Sequence, residues 1–63
     1  MHLNLKQTRR VKEKTQNEMA KMLGIHVDTY RKLEENPEIA TIQQAKAISA
    51  FLGVSYNDIF FAD

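Results

Sequence analysis

Residues 15–36 read TQNEMAKMLGIHVDTYRKLEEN, and this stretch decides the fold because it parses as two short helices joined by a tight turn. Thr15 stands where a helix N-cap stands. Glu18, three residues on, completes a capping box in which side chains and backbone satisfy each other's free groups. Met19, Ala20, Met22 and Leu23 recur at helical spacing and define one apolar face. Gly24 can take the left-handed conformation that closes a helix, and Ile25 behind it is an apolar plug. From His26 the pattern restarts, with Tyr30 and Leu33 facing one way and Val27, Asp28, Arg31 and Lys32 the other. That outer face has more polar chemistry than a core requires, so the second helix is expected to face a partner.

Working outward toward the N-terminus, a helix is expected from Leu3 or Asn4 to Glu13. Leu5 and Val11 would point inward and Lys6, Arg10 and Lys12 outward, with Lys14 as the separator before Thr15. Toward the C-terminus, Asn36 can replace glycine in a left-handed C-cap, and Pro37 then blocks the helix and starts a loop through Ala40. Thr41 and Gln44 make a second capping box, after which Ile42, Ala45, Ile48 and Leu52 recur at helical spacing. Gly53 ends that helix and Val54 plugs the core. Ser55, with Asp58 three residues on, caps a final short helix that turns Ile59 and Phe60 inward. The reading is all-α: one compact five-helix domain over residues 1–63, with a central helix-turn-helix at about 15–35 and no strand or repeat.

The stretch TQNEMAKMLGI, followed after His26 by VDTYRKLEEN, resembles the helix-turn-helix of the phage Cro and repressor family of bacterial regulators, a lambda-repressor-like domain. The likeness runs from about Leu5 to Phe60 and includes ISAFLGVSYNDIF, similar to the family's closing segment. The family usually has apolar residues where Thr8 and Lys14 stand, and often a glycine where Glu13 stands. The resemblance implies sequence-specific binding of double-stranded DNA. It also implies a structural ion pair between Arg9 and Glu34, because the family pairs an arginine there with the glutamate that ends the recognition helix.

Composition sets the outer limits. Sixty-three residues allow one small core, which needs helix caps, tight packing or oligomerisation to be stable. The absence of cysteine excludes disulfides and thiolate metal sites and fits a cytoplasmic protein. No apolar run is long enough for a membrane span, and the polar start does not read as a signal peptide. The net charge of +1 is small, but residues 1–36 carry eight basic against five acidic residues while residues 37–63 carry one against three. The basic half therefore contains the helix-turn-helix. His2 and His26 lack metal-ligand spacing, Ser49 and Ser55 lie outside any nucleophile motif, and Gly24 and Gly53 read as caps, not as a phosphate loop. Neither an enzyme nor a cofactor or small-molecule substrate is indicated.

Within the motif, Val27 can pack on a thymine methyl, Asp28 can accept from cytosine N4 or simply complement the helix dipole, and Lys32 can reach guanine or a phosphate. These three are the base-reading candidates. Gln16, whose counterpart in the resembling family contacts a phosphate, His26 where serine or threonine commonly caps, and Arg31 are the phosphate candidates, while Thr29 either anchors and packs the recognition helix or, as the alternative, contacts a phosphate. A protonated His26 would favour a phosphate contact. Tyr30 reads as core, with its hydroxyl able to reach solvent. Ile39, Tyr56 and Phe61 are left near the surface and are candidates for a dimer interface. The expected activity is that of a small transcriptional regulator, a repressor binding an inverted-repeat operator as a homodimer. The alternative is an antitoxin-like module whose main partner is another protein.

Overall fold

A computed structural model describes residues 3–55 and 57. Its described part contains four α-helices and one 3-10 turn: α1 (Leu5–Val11), α2 (Gln16–Leu23), α3 (Val27–Glu35), the 3-10 turn (Pro37–Ile39) and α4 (Ile42–Leu52). Of the fifth helix expected from Ser55, all but Ser55 and Asn57 lies outside the described residues, Ile59 and Phe60 included. No described helix is long and apolar enough to cross a membrane.

The caps set the helix starts. Asn4, Thr15 and Thr41 each accept from the backbone three residues on, and Gln7, Glu18 and Gln44 return the bond. Each box satisfies amides that a first helical turn leaves free. Gly24 (φ +69°) and Gly53 (φ +70°) close α2 and α4 in the left-handed conformation. Behind them, the Ile25 and Val54 amides reach back to the carbonyls of Ala20 and Ser49, the six-to-one bond of a Schellman motif. Both apolar residues are half-buried against the core, so both of these turns are tied to packing.

The core is Leu5, Met19, Ala20, Tyr30, Leu33, Ile48 and Leu52, drawn from all four helices. The two motif helices account for four of these, and α4 covers them with Ala45, Ile48 and Leu52 on one stripe. Ser49, also on that stripe, is buried without penalty because its Oγ donates to the Ala45 carbonyl at 2.9 Å.

Several sequence expectations fail here for identifiable reasons. The first helix is shorter than expected, with Asn4 as its cap and Val11 as its last residue. Val11 is 65 % exposed, because it lies about one and two-thirds turns beyond Leu5, on the far side of the helix. The inward stripe of α1 is Leu5, Thr8 and Arg9. Thr8 substitutes for an apolar residue by donating its hydroxyl to the Asn4 carbonyl at 2.9 Å. Glu13 is not helical but left-handed, at φ +59°. Asn36 is not left-handed, at φ −134° and ψ 78°, since a following proline pushes its neighbour toward extended backbone. Pro37 opens a 3-10 turn where a plain loop was expected. Ile42 is 66 % exposed, because it is the first residue of α4 and helical side chains lean toward the N-terminus, which here is past the edge of the core.

Candidate nucleic-acid interface

α3 is anchored from beneath and open above. Tyr30 is fully buried and Leu33 nearly so, while Asp28, Thr29, Arg31, Lys32 and Glu35 are exposed. Nine residues make a rod about 13 Å long. α2 braces it across the Gly24 turn. Val27, expected at an exposed position, is instead half-buried against the core, since it falls on the side of α3 that turns back toward α2. Part of its side chain remains accessible.

His26 is the N-cap of α3. Its Nδ1 accepts the Asp28 amide at 3.1 Å, which requires an unprotonated Nδ1. The proton of the neutral ring then sits on Nε2, and that edge points a donor outward from a side chain 72 % exposed. A protonated imidazole is therefore not needed for a phosphate contact, and protonation of Nδ1 would remove the cap.

Beneath the outer face lies the expected ion pair. The Arg9 Nε donates to Glu34 Oε2 at 2.6 Å, Nη2 to Oε1 at 3.4 Å, and Nη1 to the Lys14 carbonyl at 2.8 Å. Both side chains are nearly buried. Burial works against charge on Glu34, but Arg9, with the neighbouring Tyr30 hydroxyl and Gln16, outweighs it and holds the carboxyl below its usual range. The same bond to Glu34 raises Arg9 above its ordinary value. The pair ties α1 to α3 and to the segment before α2. Lys14, at a position where the family usually has an apolar residue, also places its Nζ over the Phe51 ring, 5.1 Å from the centroid.

Tyr30 departs from expectation. Its hydroxyl does not reach solvent; it is buried close to Glu34 and Arg9, without a partner in hydrogen-bonding geometry among the described residues. Burial, with Glu34 next in effect, pushes its pKa well above the ordinary tyrosine range, making the hydroxyl a weaker acid.

Spacing did not foretell the polar chain that crosses the surface. Gln16, the first residue of α2, donates through Nε2 to Glu34 Oε1 at 3.1 Å and accepts Arg31 Nε at 3.2 Å. Arg31 in turn donates through Nη1 to Asp28 Oδ1. Asp28, Arg31, Gln16, Glu34 and Arg9 thus form one connected series from the exposed face of α3 to the buried pair. The opposite charges three residues apart, Asp28 and Arg31, were a local signal for one link. Nothing local marks Gln16 as the bridge, because it joins two helices. Lys6 lies beside Gln16, Arg31, Glu34 and Glu35 in a cleft at this end of α2.

Ile39 is 54 % exposed, whereas Tyr56 and Phe61 lie outside the described residues. Among the described residues no group of three histidine, cysteine or acidic side chains is placed to hold a metal ion. A family model described as helix-turn-helix matches residues 5–59. No curated protein and no solved structure matches the chain.

Proposed function

From the chain's membership of the Cro- and repressor-type helix-turn-helix family of DNA-binding regulators, we propose that it is a small transcriptional repressor that acts without catalysis, by occupying an operator in double-stranded DNA. The observation that carries this reading is α3: its inner side is fixed by Tyr30 and Leu33 while its outer side offers Asp28, Arg31 and Lys32 to solvent. A helix held in this way fits the major groove, which is wide enough to admit one. Val27 and Lys32 meet base edges, and Gln16, His26 and Thr29 meet phosphates at the flanks.

The operator is an inverted repeat bound by a two-fold dimer, because one short helix covers few base pairs and a net charge of +1 supplies little electrostatic affinity. Exposed Ile39 supports an interface on the C-terminal side, to which Tyr56 and Phe61 are assigned from sequence. Selection of sites from random duplex DNA, followed by footprinting, tests the whole reading. The expected result is two inverted half-sites about one helical turn apart, with Lys32→Ala weakening binding. No selected site, or a site indifferent to Lys32→Ala and Val27→Ala together, refutes it. A second reading, an antitoxin-like module, draws on the exposed Ile39 and Ile42; it requires that duplex binding show no salt dependence.

A further inference from the structure

We infer that Asp28 and Arg31 act as one unit that reads a guanine, with Arg31 making the base contact and Asp28 holding its guanidinium in position. The inference rests on the DNA-binding reading. It gives both residues roles other than those their spacing offered, a cytosine reader and a phosphate clamp.

The first support is rigidity. A guanidinium is planar, so two anchors fix its plane as well as its position. Arg31 has two: Nε on Gln16 and Nη1 on Asp28. Gln16 is itself held by Glu34, and Glu34 by Arg9, so the anchor extends to a buried pair. Three of the five Arg31 donors, including both on Nη2, have no partner among the described residues, on a side chain 53 % exposed. Guanine presents two acceptors, O6 and N7, fixed in one plane in the major groove, and a fixed planar donor matches them.

Charge decides against phosphate. Asp28 and Arg31 together are neutral, so the unit gains little in the field of a phosphate backbone, whereas the neutral acceptors of guanine do not repel Asp28. Releasing Arg31 to a phosphate would leave a bare carboxylate beside a polyanion. The pair is therefore kept on binding. Asp28 is also poorly placed to read a base alone, since its Oδ1 is engaged by Arg31.

The test is site selection from random duplex DNA with the full chain as wild type, Asp28→Ala, Arg31→Ala, Arg31→Lys and the Asp28→Ala/Arg31→Ala double variant. Affinities are then measured for the selected site and for the same site with each base pair changed in turn. Helicity confirms folding of each variant, because both side chains are on the surface. Wild type is expected to prefer guanine at one position by roughly 5- to 150-fold, the worth of one good bidentate contact. Arg31→Ala and Arg31→Lys should both abolish that preference, since lysine keeps the charge but loses the fork. Asp28→Ala should weaken it at the same position, and the double variant should be no less selective there than Arg31→Ala. The inference is overturned if Arg31→Ala weakens all sequences alike while reducing the salt slope by about one and Arg31→Lys restores binding. It is equally overturned if Asp28→Ala alters a different base pair, independently of Arg31. In both cases wild type still selects a site, and DNA binding stands; if wild type selects none, the DNA-binding reading itself has failed and the inference falls with it.

Discussion

Replacing Arg9 by methionine tests whether the buried pair holds α1 onto the motif. Methionine retains much of the apolar stem but removes three hydrogen bonds, two to Glu34 and one to the Lys14 carbonyl. Glu34 would be left nearly buried with Gln16 as its remaining side-chain donor of standard geometry. Removing one partner of a buried pair costs about 3–5 kcal/mol, and the edge of a small domain argues for the lower end, about 3 kcal/mol. A chain of this length has roughly 3–9 kcal/mol in total, so the variant sits close to its unfolding threshold. At about 4–8 °C per kcal/mol for a domain this small, the melting temperature should fall by about 12–24 °C. Circular dichroism with thermal and urea melts measures it.

Arg9→Met/Glu34→Met should recover much of the loss, giving a coupling of about 2 kcal/mol or more in the double-mutant cycle. The pH dependence follows from the same geometry. Glu34 is held below its usual range in the folded state, against about 4.3 when unfolded. Its stabilisation is therefore complete above the unfolded value and is lost as pH falls through the lower folded one. Wild type should show this acid limb and Glu34→Gln should lack it. A loss below about 1 kcal/mol for Arg9→Met with an additive double variant would mean the pair behaves as an exposed one, and the reasoning fails.

Three further outcomes are expected. Glu13→Gly should raise stability by about 0.5–1 kcal/mol in urea melts, because a left-handed backbone suits glycine and Glu13 adopts one at φ +59°; a loss would show that the Glu13 side chain matters more than its backbone. His26→Ala should cost about 1 kcal/mol, while His26→Asn, which keeps a capping acceptor for the Asp28 amide, should cost much less. Equal losses would remove His26 from the cap. Tyr30→Phe should change stability by less than about 1 kcal/mol in either direction, since the buried hydroxyl lies beside Glu34 without a hydrogen bond of standard geometry; a larger fall on thermal melting would show that the hydroxyl supports the Glu34 carboxylate.

Local chemistry was legible in the sequence at most places where one turn of chain supplies both donor and acceptor, though not at the Asn4–Gln7 box or at Asn36. Thr15 with Glu18, Thr41 with Gln44, and Gly24 and Gly53 fixed the starts and ends of α2 and α4, because caps and left-handed closures are contests among near neighbours. Periodicity gave the inward side of α3 for the same reason. The Arg9–Glu34 pair was expected from family resemblance, since two residues 25 positions apart carry no local signal. Only the tertiary structure decided that Val11 and Ile42 lie outside the core, that Val27 leans into it, and that the Tyr30 hydroxyl is sealed beside the pair. Helical spacing gives a direction around an axis, whereas burial depends on whether another element stands in that direction. The Gln16 bridge is of this kind: its amide joins Glu34 to Arg31 only because α2 and α3 cross where they do, and that crossing is what makes a surface arginine part of a chain reaching to the core.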